Sequence, residues 1–192
     1  MTAGHLWVFG DSWTDPRGYA WAPMSGWPQV LAARLAVGLV NSGVSGAGYV
    51  HAGAVTFPAL AAQGWGAGAA CVVVHGGVND ATTDQPGKAV YESAVTTYGL
   101  IRRLCPDAAL IVAGPQWGAH PWTPGLVAVR DAVRDAAADM GADFIDTAGW
   151  FLRRPDLMLD MYHPTTAGHA LIADRLEGDV GRALLAGSTL RA

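Results

Sequence analysis

With 192 residues, of which 51% are hydrophobic and 15% charged, the chain has the composition of one folded globular domain rather than a disordered or low-complexity chain. A formal net charge of -4, with basic pairs only at Arg102-Arg103 and Arg153-Arg154, argues against a nucleic-acid or anionic-membrane partner, since both need a clustered basic face. Two cysteines, Cys71 and Cys105, are too few for a disulfide framework and read as small buried hydrophobes. The apolar runs are shorter than a membrane span, and residues 1–8 lack the charged-then-apolar pattern of a secretory leader. The expectation is a cytoplasmic single domain over residues 1–192, without membrane contact and of undetermined oligomeric state.

In chain order, the first apolar run predicts a strand over 6–9, covered on both faces. It ends in Phe9-Gly10-Asp11-Ser12, where Gly10 lets the backbone turn sharply and Ser12 is presented at the strand's carboxyl end. Serine there is also an ordinary helix N-cap. A long joint, 13–26, precedes helical periodicity over 27–35, with Val30, Leu31 and Leu35 as its apolar residues. A second strand over 39–41 leads into Asn41-Ser42-Gly43-Val44-Ser45-Gly46, which either aims a bare backbone N–H into a cleft or is a plain turn. After a third strand over 71–75 comes Gly76-Gly77-Val78-Asn79-Asp80, where the Asn79 amide either serves a developing oxyanion or holds its own turn.

A helix is predicted over 90–104, with Val95, Tyr98, Ile101 and Leu104 as its apolar residues, and a fourth strand over 110–113. A second long joint, 114–125, separates that strand from a helix over 127–140, which carries Arg130, Asp131, Arg134 and Asp135 opposite its apolar and small residues. A fifth strand over 144–146 and a last helix over 166–185 complete the pattern. Alternating strands and helices imply a doubly wound α/β sheet, and its ligand crevice forms at the carboxyl ends of the strands. Ahead of the last helix stands Asp160-Met161-Tyr162-His163-Pro164. Pro164 biases His163 away from helical geometry, and an Asp three residues before a His can orient its imidazole through Nδ1–H. His75 and His169 read as packing residues, while His5, His51 and His120 have no carboxylate at comparable spacing.

Taken together, Gly-Asp-Ser after the first strand, Gly after the second, Gly-x-Asn-Asp after the third and Asp-x-x-His-Pro before the last helix resemble the four blocks of the SGNH (GDSL-like) hydrolases. The resemblance runs from Phe9 to about Ala173 and includes Pro164-Thr165-Thr166-Ala167-Gly168-His169. It implies a three-layer α/β/α, flavodoxin-like fold on a five-stranded parallel sheet. It makes Ser12 the nucleophile, His163 the general base and Asp160 the orienting acid. The oxyanion hole it implies consists of Ser12 N–H, Gly46 N–H and the Asn79 amide, with Gly43 the alternative in the same turn. A nucleotide-binding first turn fits poorly, because Asp11 would repel phosphate and only one glycine is present.

The activity implied is metal-free and cofactor-free hydrolysis of carboxylic esters of short acyl groups, a carbohydrate acetyl ester among them. A lipase- or thioesterase-type acyl hydrolase and a non-catalytic sugar- or acyl-binding domain are the alternatives. The two long joints hold Trp13, Tyr19, Trp21, Trp117 and Trp122. Trp13, Trp117 and Trp122 are the expected substrate-binding aromatics, with Trp13 narrowing the mouth of the site; loop anchoring is the competing role.

Overall fold

The computed structural model describes residues 4–18, 23, 25–51, 53 and 55–189; Tyr19 and Trp21 lie outside them. Five strands form one parallel sheet: β1 (Leu6–Gly10), β2 (Leu39–Asn41), β3 (Cys71–His75), β4 (Ala109–Ala113) and β5 (Asp143–Ile145), in the spatial order β2-β1-β3-β4-β5. Each lies within one residue of its sequence expectation at either end.

Alternate residues of the strands feed two separate cores. Trp7 and Phe9 of β1, Val72 and Val74 of β3, and Leu110 and Val112 of β4 face one layer; Leu6, Val8, Cys71, Val73, Ile111 and Ala113 face the other. A strand buried on both faces needs apolar side chains at every position, and for that reason these runs do not alternate with polar residues. The first layer holds the helices α2 (Phe57–Ala62), α4 (Gly87–Leu104) and α5 (Pro124–Asp139), and the second holds α1 (Trp27–Arg34) and α6 (Thr166–Thr189). Cys71 and Cys105 are free and buried. No helix among the described residues is long and apolar enough to cross a membrane.

Two helices were not expected. α2, in the crossover from β2 to β3, is six residues long and carries Pro58 in its first turn, too little sequence to show a period. α3 (Val78–Thr82) starts directly after Gly77, whose φ of 114° few other residues would adopt, so Gly76-Asp80 is a helix entry rather than an isolated turn.

Chain direction reverses across β1: β1 leads through α1 to β2 on one side, and β2 crosses back to β3 on the other. The crevice of such a sheet opens at the carboxyl ends of the strands flanking that reversal. Ser12 follows β1 there, Asn79 follows β3, and the segment before α6 arrives at the same edge.

Candidate active site

Gly10 is in extended backbone, so its role is close approach rather than the sharp turn expected. A Cβ on it would lie 1.9 Å from Thr14 Oγ1 and 2.6 Å from the His75 carbonyl oxygen. The chain turns in the next residues, where Thr14 N–H (3.0 Å) and Asp15 N–H (2.9 Å) both donate to the Asp11 carbonyl and Trp13 N–H donates to Asp11 Oδ1 at 2.9 Å. Ser12 sits on this turn at 7% exposure, and its N–H takes no acceptor among the described residues.

Trp13 does not narrow the mouth of the site, as expected from sequence. It is buried, packing edge-on against Phe151 with ring centroids 5.1 Å apart, in the same layer as α1 and α6. The turn over Asp11 sends residue 13 back into the core and leaves residue 12 slightly exposed after the end of β1.

The turn after β2 separates the two candidate glycines. Gly43 N–H donates to Asn41 Oδ1 at 2.9 Å, so it is already used. Gly46 has a φ of 80°, nothing lies within 4 Å of where its Cβ would be, and its N–H has no acceptor among the described residues. Of these two glycines, Gly46 is therefore the one with an N–H to offer among the described residues. Asn79 Nδ2 donates one hydrogen to the Ala47 carbonyl at 2.8 Å, which leaves its second amide hydrogen for another acceptor.

Sequence inspection gave Asp80 no task, yet it is buried and accepts three backbone N–H groups from the loop beyond Gly46. These are Tyr49 at 2.9 Å, Val50 at 2.8 Å and His51 at 2.8 Å. Asn79 and Asp80 together tie the loop from Ala47 to His51 onto α3. The signal for it is weak: one acid beside Asn79, some 30 residues from its partners.

Ahead of α6, residues 158–164 close into a tight turn, with Leu159 N–H on the His163 carbonyl at 2.8 Å and a bridge between Met158 and Pro164. Asp160 is its centre. Its Oδ1 accepts Tyr162 N–H and His163 N–H, both at 2.7 Å, and its Oδ2 meets His163 Nδ1 at 2.8 Å. Burial pushes this carboxyl up, but the bonds from the His163 ring and the two N–H groups outweigh it and hold the group below its ordinary value. An ionised carboxylate only accepts, so Nδ1 carries the hydrogen and the other ring nitrogen, Nε2, is the basic one. The pair is unevenly covered, with 52% of the Asp160 side chain exposed against 21% for His163.

Trp117 and Trp122 differ in the same way. Trp122, half-buried, packs on the α4–α5 side of the core with the Arg130 guanidinium 5.5 Å above its ring. Trp117 meets the Tyr162 ring edge-on at 5.8 Å, and Tyr162 adjoins His163. The structure therefore brings Trp117, but neither Trp13 nor Trp122, to the loop that carries His163. A cavity of about 860 Å³ lined by Asp107, Asp143, Asp179 and Arg182 lies at the opposite, amino edge of the sheet, away from these residues.

Beneath the site are three buried titratable groups that contribute to acid stability. His75 lies against Trp27, and its burial, aided by His169, lowers its pKa from 6.5 to about 3; His169, buried and beside His163, falls to about 4. Asp11 is raised from 3.8 to about 7, first by burial and then by the charge of Asp80, despite the N–H of Trp13. Between pH 6.5 and 4 the unfolded chain takes up protons on both histidines that the native state refuses. Over the same window the native state keeps one proton on Asp11 that the unfolded chain has released. The net is one proton in favour of the unfolded state, so stability falls on acidification by on the order of 3 kcal/mol across the window. A lower urea midpoint at pH 4.5 than at pH 6.5 is expected. In His75→Leu the remaining two groups nearly cancel, so the difference should shrink toward zero.

The arrangement resembles known proteins along most of its length. The profile of the GDSL-like lipase/acylhydrolase family matches residues 8–171. The GDSL lipase Rv0518 of Mycobacterium tuberculosis (strain ATCC 25618 / H37Rv) is 31% identical over 180 residues, covering 88% of this chain and 78% of that protein. In fold, the chain is similar to the psychrotrophic esterase EstA from Pseudoalteromonas sp., with a TM-score of 0.75 at 17% identity over 94% of this chain and 98% of that one. It is also similar to a family two carbohydrate esterase from Clostridium thermocellum, with a TM-score of 0.74 at 18% identity over 93% of this chain and 63% of that one. The chain belongs to the GDSL-like lipase/acylhydrolase family and is a carboxylic ester hydrolase of the SGNH type.

Proposed function

We propose that the protein hydrolyses carboxylic esters of short acyl groups through Ser12, His163 and Asp160. The observation that carries this reading is the Asp160 carboxylate held 2.8 Å from Nδ1 of His163 by its own loop, at the sheet edge where Ser12 stands. Ser12 Oγ attacks the ester carbonyl carbon while Nε2 of His163 takes its proton. The carbonyl oxygen becomes an oxyanion, facing Ser12 N–H, Gly46 N–H and the second amide hydrogen of Asn79. Collapse breaks the bond to the alkoxy oxygen, which leaves with the proton from His163. Water, deprotonated by His163, then attacks the acyl carbon and frees Ser12 as the acid departs.

A fluorophosphonate tests the mechanism against a binding-only domain. Intact mass should rise by one phosphonyl adduct on the wild type and by none on Ser12→Ala. An unlabelled wild type that still binds sugars or acyl compounds would reverse the reading.

A carbohydrate acetyl esterase is the second reading. It has in its favour Trp117 beside the His163 loop, and the named activity of the Clostridium thermocellum neighbour. p-Nitrophenyl esters of two to twelve carbons together with acetylated xylan compare the two.

Asp80 carries a prediction of its own. Asp80→Asn keeps the volume but turns an amide donor toward one of the three N–H groups, so the loop should shift and carry Gly46 with it. kcat on p-nitrophenyl acetate should fall roughly 10-fold with KM little changed, a fraction of the effect of losing a whole oxyanion donor. Steady-state kinetics well below the unfolding temperature separate this from lost stability, which would leave kcat unaltered.

A further inference from the structure

Among the described residues six large hydrophobic side chains remain exposed; Trp65 and Leu185 stand apart, and the other four share one segment. Leu152, Leu159, Met161 (55%) and Tyr162 (42%) all fall within eleven residues that run into His163. Exposed apolar groups gathered at one place mark a contact surface more often than isolated ones do. This one is rigidly presented. The 158–164 turn is closed by backbone bonds, Arg153 N–H donates to the Ala119 carbonyl at 3.3 Å, and a Cβ on Gly118 would lie 2.4 Å from the Met161 carbonyl oxygen. The two loops thus touch directly, and Trp117 and Tyr162 meet edge-on across the contact.

Reaction chemistry assigns a substrate half to this rim. His163 must hand its proton to the departing alkoxy oxygen, so the alcohol portion lies within hydrogen-bond reach of Nε2. Tyr162 adjoins His163 in the chain and Trp117 meets the Tyr162 ring at 5.8 Å, so these two aromatics are the candidates to border that position. The carboxylates nearby have partners already. Both oxygens of Asp160 accept bonds from the turn itself, Asp156 is paired with Arg154, and the buried indole nitrogen of Trp117 is out of a ligand's reach. What the rim offers a leaving alcohol is mainly ring edges and a thioether, beside the single hydroxyl of Tyr162.

We propose that Tyr162, Trp117 and Met161 form an alcohol-side subsite, and that the substrates are esters of apolar or aromatic alcohols. The proposal rests on the triad reading above. It is tested with 2-phenylethyl acetate and ethyl acetate, whose leaving alcohols are of similar acidity, and with acetylated xylan. The wild type should show kcat/KM at least about tenfold higher for 2-phenylethyl acetate than for ethyl acetate, mostly through KM, and higher than for the acetylated sugar. Tyr162→Ser and Met161→Ser alter exposed positions. Each should reduce kcat/KM for 2-phenylethyl acetate about fivefold while changing ethyl acetate less than twofold. Equal effects on the two alcohols, or faster turnover of acetylated xylan, would overturn the subsite. Ser12→Ala is run alongside: if it is silent, such a result removes the subsite alone, whereas an active Ser12→Ala removes the triad and the subsite together.

Discussion

Ser12→Ala and His163→Ala are each expected to lower ester turnover roughly 10⁴- to 10⁶-fold while leaving the protein folded. The two losses should be nearly equal, because nucleophile and base act in one step and removing either leaves only what the oxyanion donors and binding can do. Neither change disturbs the fold. Ser12 loses a single oxygen at the crevice edge, and the loop bearing His163 is closed by the backbone bond from Leu159 and by the two N–H groups on Asp160 Oδ1. Asp160→Asn should cost less, since the amide oxygen still accepts those N–H groups and only the carboxylate's hold on Nδ1–H is lost. p-Nitrophenyl acetate turnover with circular dichroism on the same samples checks all three. A folded Ser12→Ala protein with near-normal turnover would end the triad assignment.

Asn79→Ala is expected to reduce kcat by roughly 10² to 10³ with a modest change in KM, because the donor matters most once charge develops on the oxygen. The substitution also removes the bond to the Ala47 carbonyl, but the three N–H groups on Asp80 continue to hold the loop. The loss therefore reports mainly the missing donor. A loss of the same size appearing wholly in KM would make Asn79 a ground-state binding residue instead. Comparing kcat and KM for one activated and one unactivated ester separates the two outcomes.

The parts of this protein that depend on near neighbours were legible in the residues. The strands are uninterrupted apolar runs because both faces of the sheet are covered, and all five appear where those runs lie. The Asp160–His163 pair could be read for the same reason. Three residues on one turn ahead of a proline place carboxylate and imidazole within reach of each other without help from the rest of the fold. α2 and α3 escaped because six and five residues are too few to display a helical period.

What the tertiary structure decided was the partner of each group and the direction each side chain takes. The sequence left Gly43 as the alternative to Gly46 in one turn, and the Asn41 side chain on Gly43 N–H leaves Gly46 N–H as the one without an acceptor among the described residues. Trp13, Trp117 and Trp122 were alike as aromatics of long loops. One is buried against Phe151, one lies under Arg130, and one stands beside Tyr162. Asp80 reads as an ordinary acid after Asn79 until a loop 29 to 31 residues earlier in the chain brings it three N–H groups. Local geometry is set by short-range sterics and hydrogen bonding, which neighbouring residues specify. Contacts between distant segments exist only once the sheet and its two helical layers have packed, so no single stretch of the chain encodes them.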